Sequence, residues 1–332
     1  MNWNIKRNGI EYIYNLSANK KVMKYNEVND ILPRKQGDDL KEHLYKFSLL
    51  IENAINFGTH LMKWDAYKNR EGDENLIPLL FFRNIIELGD SISILIKNSS
   101  IEQCKPLLRS LLENTFGLEY LLQNDTYRRS LSYIVWNSHK TIKFCDKLNS
   151  TTQSGKQLKK ELEKDVLLKV VNDFFDKPLF AAAKQNAEDL LKLPKYVPIN
   201  TEYLSISSRK KNPKWYSLFG GPDNIEQLAK NLNLNAFYEI YYRIYSGNVH
   251  ATSVFHNKLT SNSDGTVSII QIRNPEEIQS VTKDTLNILI LSFISYYKTR
   301  LSERNEDFRN WYMEFRKLSH ELLKDNFFKK EK

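Results

Sequence analysis

From Asp38 onward the apolar side chains of this sequence return at steps of three and four, and that periodicity restricts the chain more than any other feature. Leu40, Leu44, Phe47, Leu50, Ile51, Ala54, Ile55, Gly58, Leu61 and Met62 keep one register, which places them on one face of a long amphipathic helix. A second run from Glu74 to Lys97 repeats the pattern, with Pro78 in its first turn, where a missing N–H costs nothing. Ser99-Ser100 with Gln103 reads as a capping box that opens a third helix through Leu122, and Asp125 reads as the cap of a fourth. A charge-laced helix over 156–176, a short one over 179–191 and two long ones after Pro275 extend the series. The expected fold is therefore all-α, a large multi-helix bundle with one minor extended segment near 266–272, where Thr266 to Ile272 alternates. With only 11 Gly and 9 Pro in 332 residues, there is little material for a turn-rich β fold.

Residues 1–35 are polar and rich in Asn and Lys, and read as an N-terminal arm closed by Pro33; residues 36–332 read as a single helical domain. Between about 195 and 221 the periodicity stops at Pro198, Ser207-Ser208, Pro213 and Gly220-Gly221, so a long basic loop is expected there. It carries Arg209, Lys210, Lys211, Lys214, Trp215 and Tyr216, cations and rings of the kind that contact nucleic acid; the plainer alternative is a surface excursion.

The formal net charge of +9 favours a polyanionic partner such as RNA, although the cations are spread along the chain and an excess of this size also serves solubility. Cys104 and Cys145 stand apart, without CxxC or Cys/His spacing, so neither a disulfide framework nor a metal site is expected. Residues 1–7 lead into no apolar segment of signal-peptide type, and the stretch 286–297 is too short to span a bilayer, so a cytoplasmic protein without membrane contact is expected. No phosphate-binding glycine loop, H-E-x-x-H or G-x-S-x-G occurs, and no cofactor is expected.

The densest chemistry lies in Tyr241 to His250. In a regular helix Arg243, Ser246, Gly247 and His250 fall on one stripe, with Glu239 one turn earlier. An imidazole exchanges a proton near neutral pH and a guanidinium grips a phosphoryl group at two points, a pairing suited to RNA cleavage without a metal. The alternative is an ordinary Arg243–Glu239 ion pair with His250 packing at the helix end. Arg109 and Glu113 form another i, i+4 pair, set among Leu112, Phe116 and Tyr120 and expected to be half-buried. His139 reads as a hydrogen-bonded boundary histidine, and His256 as a weaker second proton-handling group.

Leu108-Arg109-Ser110-Leu111-Leu112-Glu113, followed by Trp215, Leu228-Ala229, Tyr238 and Tyr245-Ser246-Gly247-Asn248-Val249-His250, resembles the bacterial family DUF5677 over roughly Phe81 to Ser253. Arg243, six intervening residues and His250 also resemble the mark of HEPN proteins, helical nucleotide-binding or RNA-cleaving domains of toxin and phage-defence systems. Those nucleases usually place a polar residue after the Arg, where this chain has Ile244. The HEPN resemblance implies a homodimer with two stripes facing one cleft. In it Arg243 clamps phosphate, His250 transfers a proton, Asn248 and Ser246 assist, and Arg109, Glu113 and Glu239 support. The function it implies is an intracellular effector that binds or cleaves RNA without a metal, in anti-phage defence beside a partner protein. The alternative is a non-catalytic ligand-sensing or protein-interaction module whose Arg/Glu/His network is structural.

Overall fold

The first register forms a 30-residue helix, α1 (Asp38–Tyr67), in the computed structural model, which describes residues 28–165, 174–210, 212–249, 255 and 258–324. A short 3-10 turn (Asp73–Asn75) leads into α2 (Leu76–Lys97), and α3 (Cys104–Gln123) returns against it. These three pack around α11 (Ile278–Arg300), which buries Ile278, Val281, Leu286, Ile288, Leu289, Phe293, Tyr296 and Tyr297. Burial on this scale, roughly 2 kcal/mol for each fully enclosed Leu, Ile or Phe, is what holds the bundle. Within it Thr115 and Ser292 hydroxyls pair at 3.0 Å, so neither is left without a hydrogen bond. α12 (Asn305–Leu323) closes the far side with Phe308, Trp311 and Phe315; the Trp311 ring stacks on Phe57 at 4.1 Å.

At the end of α1, Asp65 is buried and held by Arg300 at 2.7 Å, Arg70 at 3.2 Å and the Tyr296 hydroxyl. Arg300 itself is buried, so this pair survives only because each charge has the other and further hydrogen bonds.

A second apolar cluster forms where α4 (Thr126–Lys147) meets α6 (Pro178–Lys192) and α7 (Val197–Arg209), through Leu131, Val135, Leu191, Tyr196, Ile199, Tyr203 and Leu218. α5 (Gln153–Lys164) lies against α4 as the charge-laced helix, shorter than its sequence pattern; residues 166–173 fall outside the described set. The Asp125 side chain accepts from the Arg128 N–H, as expected of a cap.

The expected loop at 195–221 is corrected: α7 fills its first half and a 3-10 segment, Trp215–Gly220, its second. Pro198 sits in the first turn of α7, where proline starts a helix as readily as it breaks one, and Tyr196, Ile199 and Tyr203 supply a buried stripe. The capping box at Ser99 also fails. Ser99 is left-handed (φ 58°), its hydroxyl donates to the Arg273 carbonyl at 3.2 Å, and α3 begins at Cys104 without a side-chain cap.

After α8 (Ile225–Asn231) the chain runs through α9 (Asn235–Phe237), a π turn (Tyr238–Tyr242) and α10 (Arg243–Val249). The minor extended segment is present as β2 (Val267–Ile269), paired antiparallel with β1 (Leu259–Ser261) in the register Leu259 to Ile269. Lys258 anchors this hairpin to Glu102 at 2.9 Å. Of the expected N-terminal arm, residues 1–27 lie outside the described set.

Candidate functional site

The polar residues that the bundle does bring together lie between α3, the π turn and the segment 214–225. Arg109 and Glu113, one turn apart on α3, form the expected pair, Nε to Oε1 at 3.1 Å. What completes it is Tyr242, the last residue of the π turn. Its hydroxyl accepts from Arg109 Nη2 at 2.9 Å and donates to Glu113 Oε1 at 2.9 Å, while the guanidinium lies 4.9 Å from its ring centre. A cation, a carboxylate and a phenol thus meet on one oxygen. Burial, and then the Glu113 charge, push the Tyr242 phenol up to about 12, so it keeps its proton at neutral pH. Tyr216 is raised to about 12 for the same two reasons.

This triad floors a cleft of about 500 Å³ whose walls are Phe81, Trp136, Trp215, Tyr216 and Ile225, with Lys214, Asn114, Asp223 and Asn224 supplying polar groups. The walls are rigid for identifiable reasons. Trp215 is buried with Phe81, Tyr120, Tyr133 and Tyr216 around it at ring distances of 5.5 to 5.8 Å. Phe81 leans over Gly117, where an added Cβ would lie 2.4 Å from the ring, so only glycine admits it in this position. Below Tyr216 the chain turns sharply, with Phe219 and Gly220 at positive φ, and the Phe219 N–H is tied to Glu202 at 3.0 Å.

Arg243 stands outside this cleft. It is 56% exposed and pairs with Glu239 at 2.8 Å and Glu226 at 3.9 Å, so the helix-face ion pair weighed from the sequence is formed. Ser246 and Gly247 are half-buried on the following turn; the Asn248 side chain, His250 and His256 lie outside the described residues. Arg243 follows Tyr242 directly, and consecutive residues of a helix point about 100° apart, so the residue that completes the cleft and the one on the expected stripe face different ways. Of the basic residues, Lys214, Trp215 and Tyr216 line the cleft. Lys210 instead pairs with Asp223, Arg209 bonds within α7 to Ser205, and Lys211 lies outside the described residues.

His139 is satisfied as expected, bonded to Asn200 at 2.7 Å and stacked on Tyr203, with burial lowering its pKa. Both cysteines are buried, and burial raises the Cys104 thiol to about 12, which makes it a packing group and not a nucleophile. Among the described residues no group of three or more His, Cys, Asp or Glu side chains gathers to hold a metal ion, and no helix is long and apolar enough to cross a membrane.

Residues 75–266, more than half of the chain, match the family described as a family of unknown function (DUF5677). The chain belongs to DUF5677. The matched segment contains the whole DUF5677 cleft, from Phe81 through Arg109 and Trp215 to Tyr242, and leaves out α1, α11 and α12. The chain has no match among curated proteins or among solved structures. Tyr242 and Trp136 are the site residues that sequence reasoning missed. Trp136 carries no signal beyond its place three residues before His139, and nothing in a sequence marks a π turn, without which Tyr242 reads as one of several tyrosines on a helix.

Proposed function

We propose that this DUF5677 chain binds RNA and cleaves it without a metal, in the manner of HEPN proteins, and that the nucleotide at the point of cleavage occupies the Arg109–Glu113–Tyr242 cleft. The observation that carries the reading is the floor of that cleft, where a guanidinium, a carboxylate and a protonated phenol share one hydrogen-bonded cluster open to an aromatic-walled space. Arg109 offers a phosphate two-point contact, Lys214 adds a second cation at the rim, and Trp136 gives a base a face to stack on. Glu113 takes the proton of the ribose 2′-hydroxyl as that oxygen attacks phosphorus. The bond to the 5′-oxygen breaks, and the leaving oxygen takes a proton from Tyr242 or His250. The products are a 2′,3′-cyclic phosphate and a 5′-hydroxyl end. Arg243, exposed on the neighbouring helix face, binds an adjacent phosphate once released from Glu239, with Ser246 and Asn248 as assisting groups. The same reading makes the active species a cytoplasmic homodimer acting in anti-phage defence, and light scattering checks the oligomer.

The test is cleavage of a mixed RNA substrate by the purified chain and by Arg109→Ala, Glu113→Gln, Arg243→Ala and His250→Ala. Loss of at least a hundredfold in Arg109→Ala and Glu113→Gln, with a few-fold loss in Arg243→Ala, is expected. Cleavage lost only in Arg243→Ala and His250→Ala moves the chemistry to the end of α10, and no RNA binding or cleavage by the wild type ends the proposal.

A second reading is favoured by the size of the cleft. About 500 Å³ encloses one small ligand, and Arg109, Glu113 and Tyr242 satisfy one another as a preformed binding floor does. Under it the protein senses a mononucleotide-sized ligand without cleaving anything, and a thermal shift by mononucleotides in the absence of nuclease activity selects it.

A further inference from the structure

Between α11 and the end of α12 lies a second, larger hollow of about 740 Å³, bounded by Lys283 of α11 and by Met313, Arg316, Lys317, Ser319, His320, Leu323 and Lys324. Its rim is cationic and its floor apolar. Arg316, His320 and Lys324 follow one another at i, i+4 and i+8, about 6 Å per step along the helix, with Lys317 beside them and Lys283 on the facing wall. None of the five is paired with a carboxylate among the described residues, although ion pairs are plentiful elsewhere on the surface. Asp284, next to Lys283, is engaged by the Tyr245 hydroxyl instead.

We infer that this groove is a phosphate track for single-stranded RNA, a second contact for an RNA held in the Arg109 cleft. The inference rests on the RNA reading of that cleft. Arg316, Lys317 and Lys324 of α12 and Lys283 of α11 line one hollow, and a polyanion seated there relieves the repulsion among them. Cations spaced along a helix suit a sugar–phosphate chain, which repeats its charge at regular steps, while Met313 and Leu323 give ribose and base edges apolar contacts. One helical run packs near both sites: Tyr242 floors the cleft, and Tyr245, one turn further along and buried, bonds Asp284, the residue after Lys283. The groove lies outside residues 75–266, so it belongs to the helices this chain adds to the family segment.

The test is fluorescence anisotropy of the full chain with a labelled single-stranded RNA of some twenty nucleotides and with a labelled trinucleotide, across a salt series. Neutralising one phosphate contact on a single strand removes about 0.7 from the slope of log affinity against log salt. The triple variant Lys283→Gln/Arg316→Gln/Lys317→Gln is expected to bind the long RNA at least tenfold more weakly, with the slope reduced by about 2. Its trinucleotide affinity and its circular dichroism remain those of the wild type. Unchanged long-RNA affinity and slope overturn the track while leaving the cleft reading intact. Arg109→Ala that loses the trinucleotide but keeps the groove's share of the slope separates the two sites the other way. A wild type that binds neither RNA, or that binds anionic phospholipid vesicles and no RNA, overturns both.

Discussion

Replacing Tyr242 with Phe removes one oxygen atom and leaves the ring, so no cavity forms and the effect isolates the hydroxyl. That hydroxyl makes two hydrogen bonds of 2.9 Å, each to a charged partner. A bond of this kind contributes about 1.5–3 kcal/mol. The two do not sum, because Glu113 is 45% exposed and keeps Arg109 at 3.1 Å, so water takes the lost donor's place at the carboxylate. Arg109, only 16% exposed, recovers less easily. The expected cost is therefore about 2 kcal/mol, the value of one charged hydrogen bond. With roughly 2.1 cal/mol/K of unfolding entropy per residue, that lowers the melting temperature of this chain by ~3 °C. Urea unfolding at pH 7 measures it, and a double-mutant cycle with Glu113→Gln should show a coupling of about 1 kcal/mol. A loss below about 0.5 kcal/mol, with additive single effects, refutes the view that Arg109, Glu113 and Tyr242 act as one unit.

Asp65→Ala strands the buried Arg300 without its carboxylate and is expected to cost about 3–5 kcal/mol in chemical unfolding, a penalty that Asp65→Ala/Arg300→Met relieves in part. Glu119 supplies a pH dependence. Burial raises its carboxyl to about 7, only the Ser295 hydroxyl at 2.8 Å opposes this, and Oε1 has no partner. Because the folded form holds this proton more tightly than the unfolded form, the contribution of Glu119 to stability is greatest at low pH and falls as pH rises from about 4.5 towards 7, by up to ~3 kcal/mol. Glu119→Gln flattens that part of the stability profile and is the more stable chain at pH 8; an unchanged profile rules the group out as the source.

Helices were legible because burial at a period of 3.6 leaves a mark in composition that no other structure leaves. The registers of α1, α2 and α11 can be read directly from their Leu, Ile and Phe positions. The errors came where one residue type serves two conformations. Pro198 reads as a breaker and acts as a first-turn residue, and Ser99, read as a cap, takes a left-handed turn and bonds to Arg273, 174 residues away in sequence. Arg109 and Glu113 could be found by spacing, since both sit on one helix. Their third member could not, because its place depends on contacts between α3 and a turn of irregular pitch. Arg243, chosen for its chemistry, turned out to be matched by Glu239, the neighbour that any helix would give it.

The irregular pitch has a consequence for how this site can vary. Within the π turn the Arg243 N–H bonds to the Tyr238 carbonyl, five residues back, so the run carries one residue more than an α-helix of the same height. Removing a single residue from 238–242 would let the ladder close at four while the helix on either side kept its heading, because the wide turn has already absorbed the extra residue. The spare residue thus lies in the one turn that reaches the cleft, where the chain carries Tyr242 to Arg109 and Glu113.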